Sequence, residues 1–412
     1  MGPFKFRLRD GVPPLSVEDW RRAACRKLPN LALGYIEGGA DDLVTLNDNM
    51  AAFRAWRLRQ RVLTGLSTPD LTTTIAGTQV SMPLALAPVG ATGVGHYSGD
   101  VAAARAAASC GTRIVLSTAS SYNLEEVGEA TEENHFFQLY PIGGRERLGR
   151  LLDRARAAGF TALFVTVDVM TLGNREEERR WNFVLPWTVT PPRALHMLRH
   201  WRWAYNALKH KRLASSHYLE MAKEVEQEKR AASGGIAQGI KDAVASRETL
   251  ASLMMGELDW DDIAYIRDRW KGPLYIKGIL DPDDAAIAVD RIGAEGVVVS
   301  NHGGRQLDRA LATIDALPPI VSRVGDRAEV YLDGGVRRGT DVITALCLGT
   351  RGVFVGRPFL YGLIADGENG VRSVLEIFRE EIKRNLVLMG CPSVADLGPE
   401  WLVRPGSLPA QP

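Results

Sequence analysis

The sequence offers little that would tie it to an oxidising or metal-dependent setting. Its four cysteines, Cys25, Cys110, Cys347 and Cys391, stand far apart with no CxxC pair, so neither a disulfide framework nor a metal site is expected and a reducing compartment is. Charge of one sign is also missing. The 412 residues carry 50 Lys+Arg against 49 Asp+Glu, a balance that excludes a generally basic nucleic-acid coat. Long apolar runs are absent too. Residues 72–95 carry no charge, but Pro83, Pro88 and four glycines interrupt them, so no spanning helix is read there. The first nine residues hold charge without an apolar core, unlike a secretory leader. With 45% hydrophobic and 24% charged residues, the chain is too apolar for disorder and reads as a folded globular protein of the cytoplasm.

What is present is a repeated alternation. Short β-branched or apolar runs occur at 84–88, 113–117, 136–140, 162–167, 274–277, 297–300, 330–333 and 353–356. Segments with helical spacing lie between them, among others at 101–110, 147–158, 283–292 and 340–348. Eight βα units predict an α/β fold of the (β/α)8 barrel type, read as one domain over 1–412 with an N-terminal helical extension. A doubly wound sheet uses the same alternation but normally carries GxGxxG after its first strand. Here that loop reads Pro88-Val89-Gly90-Ala91-Thr92-Gly93, and polar residues instead end many different strands, as a barrel site requires.

The spacing breaks once, between the fourth and fifth runs, where roughly 100 residues intervene. This insertion, placed at 184–258, contains the stretch 193–212 with six Lys/Arg, three His, Trp201, Trp203 and Tyr205 and no acidic residue. It is either a solvated helix with a few aromatic anchors or an interfacial segment resting on anionic lipid. Residues 220–253, rich in Lys, Glu, Ala and Ser, read as a mobile lid or a poorly ordered excursion.

The strongest local signal is Ser300-Asn301-His302-Gly303-Gly304-Arg305-Gln306 at the end of the sixth strand. A histidine and an arginine three apart, separated by two glycines, place a proton acceptor and a fixed cation in one pocket. Such a pocket suits an anionic substrate that loses a proton. Taken alone, the stretch is equally a loop whose histidine pairs with a nearby carboxylate.

This heptapeptide resembles the active-site signature of the FMN-dependent α-hydroxy acid oxidase and dehydrogenase family, and similar motifs follow all eight strands from about residue 16 to 402. The resemblance implies an FMN enzyme that oxidises an L-2-hydroxy acid to the 2-oxo acid. It places the general base at His302, its orienting carboxylate at Asp168 and a tyrosine near the substrate oxygen at Tyr140. Arg175, Arg305 and Tyr35 match the groups that hold the substrate carboxylate, where a planar guanidinium can make two parallel hydrogen bonds. Lys277 matches the lysine beside the flavin N1/O2 edge, where a cation stabilises the reduced ring. Pro88, Val89, Gly90, Ser117, Gln138, Thr166 and Ser300 match groups facing the ring system. Asp333, Gly335 and Arg337, with Gly356 and Arg357, fall after strands seven and eight, where barrels frequently hold phosphate. A homotetramer is what the resemblance implies for assembly.

Two departures sharpen the expectation. Small-substrate members such as glycolate oxidase carry a tryptophan where this chain has Ala119, which leaves room for a bulky or aromatic substituent. The basic insertion is similar in place to the membrane-binding segment of the family's bacterial mandelate and lactate dehydrogenases, which implies a peripheral contact with the inner face of the membrane and electron transfer to quinone. The alternatives are an oxygen-using oxidase producing hydrogen peroxide, a sugar-phosphate barrel enzyme and a non-catalytic FMN-binding protein.

Overall fold

The computed structural model describes residues 13–181, 190–232 and 258–403. The expected leader-free N-terminus, residues 184–189 of the insertion and most of 220–253 lie outside the described residues.

Eight parallel strands form the centre: β1 (Leu84–Leu86), β2 (Val115–Ser117), β3 (Phe136–Leu139), β4 (Ala162–Thr166), β5 (Leu274–Ile279), β6 (Gly296–Val299), β7 (Glu329–Leu332) and β8 (Gly352–Val355). Each pairs with its sequence neighbour, β8 pairs with β1, and a parallel bridge between Leu86 and Ile114 completes the ring. The expected (β/α)8 barrel is therefore observed.

The strands are buried on both faces, which is why they read as nearly continuous apolar runs. Strand alternation decides what fills the inside. Ala85, Val115, Phe136, Ala162, Phe164, Tyr275, Val298, Tyr331 and Phe354 form an inner core, and an antiparallel hairpin of Thr73–Ile75 and Thr78–Val80 joins it with Ile75, Ala76 and Val80. The Ala76 N–H donates to Tyr331 Oη at 2.8 Å, and Tyr275 and Tyr331 both donate to Glu329 Oε2. One barrel end is thus sealed by packing.

Outside the ring, the N-terminal helix Val17–Cys25 packs on the C-terminal helix Arg357–Met389. Ser16 caps the first of these by accepting the Asp19 N–H. Glu37, ending helix Asn30–Glu37, accepts from Tyr361 Oη and from Arg21 Nε, both at 2.6 Å. These contacts hold Tyr35 of that helix over the barrel.

The basic stretch expected over 193–212 is two helices, Pro191–Arg199 and Trp201–His210, broken at His200. Its three aromatic residues do not share one side. Trp203 is buried and donates its indole N–H to the Val94 carbonyl at 2.7 Å, whereas Trp201 and Tyr205 are exposed. The expected lid begins as an ordinary helix, Ser216–Ala232.

Candidate active site

Two residues beyond each inner apolar position, the same alternation turns the next side chain inward at the strand's C-terminal end. Those positions are Ser117, Gln138, Thr166, Lys277, Ser300 and Asp333, so the apolar interior ends in a ring of polar groups. Every one of them is buried. Ser117 Oγ donates to Gln138 Oε1 at 2.8 Å, and Lys277 Nζ donates to Ser300 Oγ at 2.8 Å and pairs with Asp333 Oδ2 at 2.9 Å. Burial alone would lower the Lys277 pKa, but Asp333 and Asp168 outweigh it and hold the ammonium above the ordinary lysine value. A fixed positive charge therefore sits at the cavity wall. Gly278, at a bulge in β5 with φ +108°, has no space for a Cβ, which would lie 2.7 Å from the Asp168 side chain.

His302 occupies the turn after β6 with φ +59°, followed by Gly303 at +64° and Gly304 at +75°. Three successive left-handed residues demand the glycines, and a Cβ on Gly304 would also meet the Leu46 backbone at 2.6 Å. His302 adopts this region without being glycine, a strain held by its partners. Its backbone N–H donates to Ser300 Oγ at 3.2 Å and its Nδ1 lies 2.9 Å from Asp168 Oδ1. Burial, with the charges of Lys277 and Arg175, lowers the His302 pKa despite the attraction of Asp168. Burial raises the Asp168 carboxyl, but the charge and hydrogen bond of His302 and the charge of Lys277 bring it below its ordinary value. The resting pair is a neutral imidazole and a carboxylate. With Nδ1–H donated to Asp168, Nε2 carries the lone pair, and Tyr140 Oη lies 3.3 Å from it.

The arginines converge on one carboxylate. Arg305 donates to the Tyr35 and Gly38 carbonyls at 2.7 and 3.0 Å and to Glu178 Oε1 at 2.5 Å, with its guanidinium over the Tyr35 ring. Arg175 Nη1 is 3.7 Å from the same Glu178 oxygen. Burial and the charge of Arg305 lower the Arg175 pKa, with Glu178 opposing the shift. Tyr35 Oη donates to the Gly90 carbonyl at 2.7 Å.

These groups surround one cavity of about 290 Å3 at the C-terminal end of the barrel. Pro88, Val89, Gly90, Ala119, Tyr140, Thr166, Arg175, Lys277, His302 and Arg305 line it, and so does Tyr35. Asp333, Gly335, Arg337, Gly356 and Arg357 line it at the ends of β7 and β8. Asp168 and Ser300 stand behind that wall, bonded to His302 and Lys277, and so do Gln138 and Ser117, the latter accepting the Ala119 N–H at 3.1 Å. Arg357 is not free: it donates to the carbonyls of Ile36, Gly303 and Gly38 at 2.8 to 3.0 Å, and burial beside Arg305 lowers its pKa to about 10.

The sequence model of the FMN-dependent dehydrogenase family matches residues 24–404. The chain belongs to that family. An L-lactate dehydrogenase of Caulobacter vibrioides is 41% identical over 383 residues, covering 93% of this chain and 96% of its own length. An L-lactate oxidase of Nostoc sp. is 38% identical, with 94% and 98% covered. Among solved structures, that of the monotopic membrane protein (S)-mandelate dehydrogenase superposes with a TM-score of 0.84 at 33% identity, covering 95% of this chain and all of that one.

FMN is the cofactor of this family member, and the site fits it. Gln138 Nε2, Thr166 Oγ1 and Asp333 Oδ1 are buried polar atoms without a hydrogen-bond partner among the described residues. Buried polar groups are rarely left so. Here they cluster on the inward ring beside Lys277, where a flat heterocycle edged with oxygen and nitrogen would satisfy them. The glycine loops after β7 and β8 line the same cavity with Gly334, Gly335 and Gly356.

Several residues that build this candidate site were not singled out by sequence. Gln306 bridges two loops, donating to the Asp168 and Thr171 carbonyls and accepting from Arg175 Nη2 at 2.9 Å. Asn49 and Asn301 exchange two amide hydrogen bonds of 2.8 Å beneath the histidine turn. Glu178 lay in a run of charges, and Tyr218 belongs to the insertion. Gln306 and Asn301 lie within the recognised heptapeptide, where no role was assigned to them; the others meet the site through tertiary structure.

Proposed function

We propose that this FMN-dependent enzyme oxidises an L-2-hydroxy acid bearing a bulky or aromatic substituent and passes the electrons to a membrane quinone. The observation that carries the chemistry is the imidazole fixed by Asp168 on one side and offering Nε2 to a cavity with two arginines on the other. Lys277, Gln138, Thr166, Ser117 and Ser300 would hold the ring system, with Pro88, Val89 and Gly90 packed against it. Asp333, Gly335, Arg337, Gly356 and Arg357 would hold the phosphate end. Bound FMN supplies a two-electron acceptor.

Arg175 and Arg305 keep unused N–H donors for the substrate carboxylate, and Tyr35 adds a phenol beside them. Glu178 keeps the two cations close together before substrate arrives. The orientation so imposed presents the hydroxyl-bearing carbon to His302, whose Nε2 takes a proton while Asp168 stabilises the imidazolium that forms. Tyr140, within hydrogen-bond reach of Nε2, is placed to contact the substrate oxygen.

The insertion supports the acceptor. Leu195, Leu198, Trp201, Tyr205 and Leu208 are all more than half exposed and recur every three or four residues. Arg193, Arg199, Arg202, Lys209 and Lys211 flank them. An apolar stripe edged by cations is the surface of an interfacial helix pair, and no helix among the described residues is long and apolar enough to span a bilayer.

Anaerobic addition of L-lactate, L-mandelate and L-2-hydroxy-4-methylpentanoate to the yellow holoenzyme is expected to bleach the flavin. Bleaching by none of them would reject the reading. A higher specificity constant for glycolate than for the bulky acids would reject the substrate size.

A further inference from the structure

The insertion reaches into the catalytic cavity as well as over the surface. Between helices Trp201–His210 and Ser216–Ala232, its backbone is fastened to the loop after β2. Ser215 Oγ donates to the Thr118 carbonyl at 3.1 Å. The Ser216 N–H and hydroxyl donate to the carbonyls of Ser120 and Ser121 at 2.9 and 2.7 Å. His217 Nδ1 lies 3.2 Å from the Thr118 carbonyl, and Arg212 pairs with Glu126 at 2.5 Å. Ala119, in the middle of the loop so gripped, lines the cavity. Tyr218, the residue after His217, lines the same cavity.

The cavity carries both charge and apolar surface. Arg175 and Arg305, with Lys277, Arg337 and Arg357, bring positive charge to it, while Ile142, Met170, Leu172 and Leu258 add apolar side chains to its wall. A 2-hydroxy acid likewise has a carboxylate and an uncharged α-substituent, so the arginines direct the substituent toward the apolar side chains. Tyr35 and Tyr140 place their hydroxyls on Gly90 and His302. Tyr218 is the aromatic ring that the insertion brings in. Burial, and after it Tyr35, raises its phenol pKa, which keeps the side chain neutral at working pH.

We propose that Tyr218 is a specificity-determining residue: its ring packs against the substrate's α-substituent in the space beside Ala119 and favours an aromatic or long apolar group over methyl. The proposal rests on the 2-hydroxy acid reading. It assigns the insertion a part in substrate selection, separate from any contact with lipid.

The test compares kcat/KM for L-mandelate and for L-lactate, with a soluble dye as acceptor, in wild-type, Tyr218→Phe, Tyr218→Leu and Tyr218→Ala holoenzymes. Tyr218→Ala is expected to lower the mandelate-to-lactate ratio by about tenfold to a hundredfold, mainly through KM for mandelate. Tyr218→Phe should keep the ratio within about threefold, because the ring remains. Tyr218→Leu should lower it in the same direction as alanine, and it keeps enough apolar volume to answer the question if the alanine variant does not fold. Equal losses for both substrates in the leucine and alanine variants would overturn the proposal, since a purely structural role lowers both alike. So would a wild type that turns over lactate but neither mandelate nor L-2-hydroxy-4-methylpentanoate. A wild type that none of the acids reduces would instead reject the activity on which the proposal depends.

Discussion

The strand ends of the barrel and the insertion between β4 and β5 both line one cavity, and they do so by different physics. On the barrel side, position follows from alternation: the residue two beyond an inner apolar side chain must face inward, and Lys277, Ser300 and Asp333 meet there in a buried ion pair and hydrogen bond. On the insertion side, a few serines bonded to backbone carbonyls locate Tyr218. The first arrangement changes only with the barrel. The second can be redrawn by changing a few contacts, which suits chemistry to the strand ends and selectivity to the insertion.

Substitutions on the barrel side should therefore act on the chemical step. His302→Gln is expected to keep the yellow colour and slow flavin reduction by about 10²- to 10⁴-fold, measured by anaerobic stopped flow. Reduction at the wild-type rate would remove His302 from the role of base. Asp168→Asn should also slow reduction, by up to about 10⁴-fold, because an amide neither stabilises an imidazolium nor fixes the tautomer that leaves Nε2 unprotonated.

The same pair sets the pH dependence. A base acts when unprotonated, so kcat/KM should rise with pH through the His302 pKa and level off above it. Burial lowers that pKa, which places the acidic limb below about 6.5, the ordinary histidine value. A limb above pH 7 would mean that Asp168 dominates over burial. In Asp168→Asn the attraction that opposes the shift is gone, and the limb should move further to the acid side.

Changes on the insertion's outer face should leave the chemistry alone. Arg199 and Arg202 are exposed, and each cation near an anionic bilayer contributes about 1 kcal/mol. Replacing both by glutamate should move the enzyme from the pellet to the supernatant when sedimented with anionic liposomes, while kcat with a soluble dye stays within about twofold. Deletion of 193–212 is a harsher version, since Trp203 within it is buried. Unchanged partition in the double variant would separate this surface from the membrane.

The difference between the two regions also explains what could be read from sequence. Eight apolar runs announced the barrel because parallel strands buried on both faces need them, and the polar residues ending those runs marked the site through strand register. His302, Arg305 and Lys277 carry their chemistry in adjacent residues. Tyr218 does not: it lies in the first turn of a Lys- and Glu-rich helix whose composition describes solvent exposure, and its neighbours Ser215, Ser216 and His217 fix it at the cavity through bonds to Thr118 and Ser120, about a hundred residues away. Trp201 and Trp203 are indistinguishable by type. Tertiary structure separates them: Trp203 turns inward, where its indole N–H meets the Val94 carbonyl offered by the loop after β1.

The barrel loops near which the insertion is fastened have their own titrating group. Asp100 is 1% exposed at the start of helix Gly99–Ser109, where it accepts hydrogen bonds from Thr92 of the loop after β1 and Ser120 of the loop after β2. Burial pushes its carboxyl up to about 6, against the two hydroxyl bonds that favour the anion. Its folded pKa lies above the unfolded value of about 3.9, so the folded state binds this proton more tightly. The associated stability is present in full below about pH 4 and is lost as pH rises through about 6, on the order of 3 kcal/mol. Asp100→Asn removes the ionisation and keeps an oxygen for Thr92 and Ser120. Its melting temperature should gain on the wild type by a few degrees between pH 4.5 and 7.5, followed by calorimetry in the two proteins side by side. A constant gap across that range would show that Asp100 does not titrate there.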